Sequence, residues 1–393
     1  MIHRIPCLYT TICIAGALAH SSRAAQWTVT LLHPAGATAS QGRGVSANQQ
    51  VGYVFMNGAG ASALWTGSAE SYTTLDPSSA DGECDDVANG RQVGYVFFGT
   101  GTTGMRASLW NGTRNSRIDL HPGGDGDSRA YGVTTGFQVG YVYQILSSRA
   151  AMWSGTSASY RSLHPEFAAH SWAYGVSANQ QVGLIRLNNN QNHAALWSGT
   201  PSSFVDLHPA GATYSIALDV ANNEQVGWIE VGGQRHAGMW RGTAASWIDL
   251  NPPGASSSEA HAMAGGFQVG HARLAGAIRA CIWAGSATSC TDLSAYLPSG
   301  FTSSTAEGIW TDGNAVNIVG SAYRDSTHNY EAVLWTRQPC RVDFDHDGFV
   351  TGIDFDLFTY AFEAGDPGAD FDADGFITGI DFDLFVYAFE AGC

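Results

Sequence analysis

Hydrophobic and polar positions alternate along most of this chain in short apolar runs, each cut by Gly, Asn, Ser or Pro. The stretch from Ala194 to Trp240 shows the pattern once in full. Ala195-Leu196-Trp197 is followed by Ser198-Gly199-Thr200, then by Val205-Asp206-Leu207-His208-Pro209. Ala217-Leu218-Asp219-Val220 and Gln225-Val226-Gly227-Trp228 come next, and Gly238-Met239-Trp240 returns to the start. No sustained helical period accompanies the alternation, so the pattern predicts strands joined by tight turns.

Three markers keep phase along the chain. An apolar residue followed by Trp recurs at Trp65, Trp110, Trp153, Trp197, Trp240, Trp283 and Trp335, at spacings of 45, 43, 44, 43, 43 and 52. A Val-Gly pair recurs at Gly52, Gly94, Gly140, Gly183, Gly227, Gly270 and Gly320. A Leu-x-Pro signal recurs from Pro34 to Pro252, with a degenerate form at Pro298. A period of this length marks a repeat architecture. Each copy has room for four strands, in the first copy Thr28–Leu32, Gly42–Ser46, Gln50–Phe55 and Ala61–Trp65. The expectation is an all-β domain over residues 25–338, a seven-bladed β-propeller with one blade per copy, because ring closure removes exposed sheet edges. A β-solenoid is the alternative, but it needs shorter periods. The last copy is longest, with an insertion around Ser294–Ser304.

Composition adds compartment and partner class. The apolar start from Ile5 to Leu18 and the Ala17-Leu18-Ala19 signal predict a signal peptide over residues 1–24, hence a secreted or cell-surface protein. No later apolar run reaches about 18 residues, so no membrane span is expected. All 18 basic residues are arginine, which excludes lysine Schiff-base chemistry and a P-loop lysine. Of 34 acidic residues, 13 fall within 341–393 beside one arginine, so most of the net charge of −16 is concentrated there. With no basic patch, no nucleic-acid partner is expected. Export permits disulfides. Cys281 and Cys290 flank one repeat turn, Cys340 and Cys393 bracket the acidic segment, and Cys84 is left over as a candidate free thiol.

Within the repeats, His33, His121, His164 and His208 occupy one position in different copies, replaced by Asp76 and Asn251 in two others. Equivalent positions of a ring stay apart, so these histidines are expected to be structural rather than a metal site. The seven repeated tryptophans are expected to pack between blades. Trp172, Trp228, Trp247 and Trp310 break the pattern and are the candidates for binding, with carbohydrate as a candidate ligand. No nucleophile elbow, zinc-helix motif or P-loop is present. A hydrolase would need two facing carboxylates, and its mark would be carboxylates on the propeller axis without equivalents in other copies.

The acidic segment carries the strongest motif, an internal duplicate offset by 27 residues. The first copy places Asp343, Asp345, Asp347, Phe349, Thr351 and Asp354 at positions 1, 3, 5, 7, 9 and 12 of a calcium loop. The second places Asp370, Asp372, Asp374, Phe376, Thr378 and Asp381 there. Glycine stands at position 6 of both, Gly348 and Gly375, where the loop turns sharply. The spacing predicts two bound Ca2+ ions and calcium-dependent folding. A short helix is expected after each loop, with Leu357, Phe358, Ala361 and Phe362 as its apolar face, copied at Leu384, Phe385, Ala388 and Phe389.

The Val-Gly-Tyr, Ala-x-Leu-Trp and Asp-Leu elements over about residues 26–336 resemble the HAF family of extracellular repeats, which implies secretion and a propeller-like fold. Residues 339–393, loop plus exit helix twice over and ending in Gly-Cys, resemble a type I dockerin. That resemblance implies a pseudo-twofold module whose ends meet, so that Cys340 and Cys393 clasp. It also implies a protein partner, a cohesin-like or surface protein, engaged through the helices and loop positions 10 and 11. Here those positions are Gly352-Ile353 and Gly379-Ile380, where the family carries a hydroxyl pair. The combined reading is a secreted, non-enzymatic binding or scaffold protein docked by its calcium module. The alternative is an extracellular polysaccharide-active hydrolase with its site in the propeller funnel.

Overall fold

The computed structural model describes residues 27–77, 81–99, 104–124, 126–144, 146–312, 315–337, 340–345, 350–372 and 374–391. The signal peptide expected at 1–24, the loop residues Asp347 and Phe349, and Cys393 lie outside them. The chain divides into two compact units, one of residues 27–338 and one containing residues 339–393.

Residues 27–338 form seven four-stranded antiparallel sheets among the described residues. Blade 1 consists of Ala37–Ser46, Gln49–Met56, Ala59–Trp65 and Thr73–Thr74. The next five blades repeat it, through the inner strands Asp81–Ala88, Ser128–Val133, Ala168–Ser177, Tyr214–Ala221 and Ser258–Ala264. Blade 7 begins with the inner strand Phe301–Thr311. Each inner strand touches the inner strands on either side, and Ala37–Ser46 meets Phe301–Thr311 to complete the ring. This is the seven-bladed propeller that the three markers predict.

Blade and sequence copy are out of phase by one strand. Thr28–Leu31 does not join the blade that follows it. It pairs antiparallel with Asn329–Arg337 as the outer strand of blade 7, Thr28 opposite Thr336 and Leu31 opposite Val333. Each expected copy therefore straddles two blades, and the two ends of the repeat region are hydrogen-bonded together.

Each marker has a packing cause. The seven marker tryptophans are at most 1% exposed. The leucines of the Leu-x-Pro signal and its counterpart, Leu32 through Leu293, are fully buried between blades. The Val-Gly glycines sit where the inner and second strands approach closely. A Cβ on Gly140 would lie 1.9 Å from the Arg129 carbonyl oxygen, and one on Gly270 would lie 2.0 Å from that of Glu259. Only glycine fits such an approach.

The second unit has two 13-residue helices, α1 (Gly352–Ala364) and α2 (Gly379–Ala391). Its core is a cluster of phenylalanines related by the 27-residue offset. Phe358 and Phe385 stack at 3.7 Å with an interplanar angle of 1°. Phe344 meets Phe358 edge-on at 5.7 Å, and Phe371 meets Phe385 in the same way at 5.7 Å. The expected apolar face is shifted: Phe355, Phe358, Ala361 and Phe362 turn to the core, while Leu357 and Leu384 are each 40% exposed. Phe355 lies about one turn before Phe358 and two turns before Phe362, which places it on the same side of the helix. Among the described residues no helix is long and apolar enough to cross a membrane.

Candidate functional site

Every inner strand carries a β-bulge at one equivalent position, a residue that the ladder skips, and Ala37–Ser46, Ala168–Ser177 and Phe301–Thr311 carry a second near their starts. In blade 1 Gly42 pairs with Gly52 and Gly44 with Val51, leaving Arg43 over. The equivalent residues are Asp85, Tyr131, Tyr174, Leu218, His261 and Glu307. A bulge re-aims a side chain, and all seven residues line one cavity of about 140 Å³ where the inner strands converge. The backbone device repeats seven times while the side chains it presents differ.

The wall of this channel is divided. On one side Arg43 and Arg129 grip Glu83, at 2.8 and 2.9 Å, and Arg129 also pairs with Asp85. The His261 imidazole lies between Glu307, 3.0 Å from Nδ1, and Glu259, 3.6 Å from Nε2. Arg235 holds the other oxygen of Glu259 at 2.6 Å. On the other side Trp172, Tyr174, Tyr214 and Leu218 pack on buried Leu184, Ile216 and Trp228. Tyr214 stacks on Trp228 at 4.8 Å and Tyr131 meets Tyr174 at 5.0 Å.

Burial and pairing oppose each other on the ionic side. Burial pushes the Asp85 carboxyl up, to about 7, against the pull of Arg129. For Glu83 the two arginines outweigh burial and hold the carboxyl low. Burial disfavours the His261 imidazolium, but Glu307 and Glu259 raise it to about 10. Burial and the charged His261 lower neighbouring His271 to about 4. Glu83 and Glu259 thus stand at one repeat position in blades 2 and 6, Asp85 and Glu307 at the bulge position in blades 2 and 7, and each is paired with a cation.

The repeated histidines are structural. His33, His121, His164 and His208 hold Ser40, Ser128, Ser171 and Ser215 through Nδ1 at 2.8 to 2.9 Å. The serine oxygens accept a backbone N–H from the preceding blade, as Ser171 does from Ala150 at 2.8 Å. Each hydroxyl therefore donates to Nδ1. Burial lowers the pKa of His121, His164 and His208, as a neutral acceptor ring requires. In blade 6, Asn251 takes the histidine's place, accepting from the Ser258 hydroxyl at 2.7 Å.

Of the four unpatterned tryptophans, Trp172 and Trp228 belong to the cluster packed with the channel residues Tyr174 and Leu218, whereas Trp247 packs on the repeat residue Trp240 at 4.6 Å. Trp310 packs against the core between blades 7 and 1. Cys281 and Cys290 are brought together as thiols with sulfurs 3.2 Å apart. Cys84 is a fully buried thiol that donates to the Val93 carbonyl, and burial raises its pKa, so it lacks thiolate reactivity. The bulge residues escaped sequence reasoning because attention fell on what repeats. Their signal is the most variable position of a recurring tetrapeptide, with a small residue before it and mostly glycine after it, as in Gly42-Arg43-Gly44-Val45, Ala173-Tyr174-Gly175-Val176 and Ala306-Glu307-Gly308-Ile309.

In the second unit the two loops share one hydrogen-bond scheme. Asp354 accepts from the Phe344, Asp345 and Thr351 backbone N–H groups, at 2.7, 3.2 and 2.8 Å. Asp381 accepts from Phe371, Asp372 and Thr378 at 2.7, 3.2 and 2.7 Å. Burial opposes ionisation of Asp354, but these donors prevail and lower its pKa. Carboxylate oxygens of Asp343, Asp345 and Asp354 converge within 4.8 Å, as do those of Asp370, Asp372 and Asp374. Gly375 at position 6 has φ of +90°, the left-handed turn that the loop needs. A hard, all-oxygen donor set of this kind fits Ca2+. Ile353, Leu357 and Tyr360 are exposed on α1, and Ile380, Leu384 and Tyr387 repeat them on α2.

The fold and its axial wall define a seven-bladed β-propeller. Solved structures similar to it include the β-propeller domain of the Trilobed protease from Pyrococcus furiosus, 7% identical over 77% of this chain and 96% of that one, with a TM-score of 0.49. Oligogalacturonate lyase in complex with manganese is 10% identical over 81% of this chain and 94% of that one, with a TM-score of 0.49. Puromycin hydrolase is 13% identical, with a TM-score of 0.47, and the match covers 76% of this chain and 52% of the hydrolase. This chain therefore spans about half the length of that enzyme. The likeness extends to the fold alone. No protein-family model matches the chain, and no curated protein matches it.

Proposed function

We propose that the chain is a secreted, non-enzymatic recognition protein whose propeller binds a ligand at the axial channel. The observation that carries this reading is the wall that does not repeat. A constant scaffold presents seven bulge residues of six kinds to one cavity, aromatic on one side and ionic on the other. A sugar ring has the matching chemistry, an apolar face for Tyr174 and Trp172 and hydroxyls for the paired charges. The test is binding of the full chain to a panel of neutral and acidic oligosaccharides, with Tyr174→Ala as the channel variant. Saturable binding that Tyr174→Ala weakens at least ~10-fold, as loss of about 1.4 kcal/mol would give, supports the reading. Failure of every oligosaccharide to bind, or unchanged binding by the variant, overturns it.

The C-terminal unit serves in this reading as a dockerin-like, calcium-folded anchor. Asp343, Asp345, Asp347, the Phe349 carbonyl, Thr351 and Asp354 hold one Ca2+, and the duplicate set from Asp370 to Asp381 holds the other. The repeated Ile-Leu-Tyr faces are offered to a cohesin-like or surface protein. Calorimetry should show two Ca2+ per chain, none after Asp343→Ala with Asp370→Ala; absence of uptake by the unmodified chain removes the anchor.

One observation favours the hydrolase as second reading: Asp85, Asp86, Asp219 and Glu307 place four carboxylates on one cavity. Release of new reducing ends from a bound polysaccharide would establish it. The cations paired with Asp85 and Glu307, and the two backbone N–H groups held by each of Asp86 and Asp219, favour recognition over general acid chemistry.

A further inference from the structure

We propose that Glu259, His261 and His271 form a binding site for a divalent transition-metal ion, Zn2+ in the first instance. All three stand on one hairpin of blade 6, made of Ser258–Ala264 and Phe267–Leu274. Glu259 and His271 are paired directly across the ladder, and His261 is the bulge residue of the same strand. The bulge returns His261 to the side of Glu259, and one ligand atom from each residue lies within 4.8 Å of the others.

The surroundings are arranged as a metal site requires. His261 Nδ1 faces Glu307 Oε2 at 3.0 Å and the Ala306 carbonyl at 3.1 Å, both acceptors from the next blade. That contact keeps a proton on Nδ1 and turns Nε2 toward Glu259, where an ion would displace the second proton of the imidazolium. A carboxylate on the outer nitrogen of a ligating histidine is the usual second layer of such centres. Arg235 holds Glu259 through Oε1, so Oε2 is the oxygen left to ligate. His271 Nδ1 is a buried ring nitrogen with no hydrogen-bond partner among the described residues. A buried polar atom without a partner needs an explanation, and a cation supplies one. Two imidazoles and one carboxylate suit Zn2+ and leave a coordination position unfilled by protein. The oxygen-only loops of the C-terminal unit suit Ca2+ instead, so the two classes of ion do not compete.

The test uses the full chain, held in excess Ca2+ and freed of transition metals with 1,10-phenanthroline. Zn2+ uptake is followed by calorimetry, and Co2+ serves as a spectroscopic probe, since its visible bands report nitrogen donors. The expected result is one Zn2+ per chain, with Co2+ bands that His271→Gln abolishes. His271→Gln is the preferred variant because Nδ1 makes no hydrogen bond whose loss would unfold the blade. Glu307→Gln should keep the stoichiometry and weaken affinity about 10–100-fold, as loss of an outer-layer carboxylate does. Failure to take up a stoichiometric ion overturns the proposal. So does uptake that survives both His271→Gln and Glu259→Gln, because the ion would then sit on surface pairs such as His193 with Asp206. This outcome does not bear on the oligosaccharide reading, which has its own variant.

Discussion

The stacked rings at the centre of the C-terminal unit allow a quantitative test of its duplication. Phe358 is fully buried and stacks on Phe385 at 3.7 Å, with Phe344 and Phe371 edge-on to it at 5.7 and 6.2 Å. The surroundings of Phe385 are the counterpart: Phe371 lies edge-on at 5.7 Å as Phe344 does to Phe358, and Phe355 lies tilted at 6.0 Å as Phe382 does at 6.2 Å from Phe358. Truncation of such a ring to alanine costs about 3–5 kcal/mol. A unit of some 50 residues has only about 3–8 kcal/mol of stability at typical values per residue. Either alanine variant therefore brings the unit to the edge of unfolding, and leucine is the better probe. Phe358→Leu and Phe385→Leu should destabilise by equal amounts, within ~0.5 kcal/mol. The double variant should cost less than the sum by about 0.5–1.5 kcal/mol, the worth of the stacked pair. Urea unfolding of residues 340–393 in saturating calcium, followed by far-ultraviolet circular dichroism, measures all three. Unequal single costs, or strict additivity, would refute the twofold core.

Two further outcomes follow from the propeller. Gly140→Ala forces a Cβ to 1.9 Å from the Arg129 carbonyl oxygen, so it should separate the bulged strand from its neighbour. The expected loss is at least the ~1–3 kcal/mol of core overpacking, read as a lower melting temperature in calorimetry. The neutral histidine staples set an acid limit. Burial lowers their folded pKa, so the unfolded chain binds protons more readily below about 6.5. Stability from these groups is present in full above that value and falls as pH drops through it. His164→Asn copies the Asn251–Ser258 contact of blade 6. It should melt near the parent temperature at neutral pH and lose less stability in acid; an unchanged acid slope would count against the staple.

The number of blades was legible because close packing restricts the same positions in every copy. Tryptophan, buried leucine and the glycine of close approach recur because each blade poses the same steric problem. The closing strand was not legible, because Thr28–Leu31 pairs with a partner some 300 residues away and a local pattern carries no sign of that. Leu357 was misplaced for a simpler reason: Ile353, Leu357 and Tyr360 form a second apolar stripe beside the buried one, and hydropathy does not distinguish them. The two acidic loops were legible from spacing, and carboxylate oxygens of Asp343, Asp345 and Asp354, and of Asp370, Asp372 and Asp374, do converge. The axial wall hid in the residues that vary, and only the register of the ladder shows why variation collects there.

The bulge has an evolutionary consequence. A residue skipped by the ladder gives the sheet no hydrogen-bonded pair in register, so its exchange leaves the neighbouring pairs in place. The ring thus separates two requirements: a frame fixed by steric fit, and seven addresses that can change without moving the ladder, His261 and Glu307 together because they are paired. A change of specificity in such a lineage needs no insertion, no new loop and no repacking. It would be written in single codons spaced about one repeat apart, and a combinatorial library at Arg43, Asp85, Tyr131, Tyr174, Leu218, His261 and Glu307 would explore the same space.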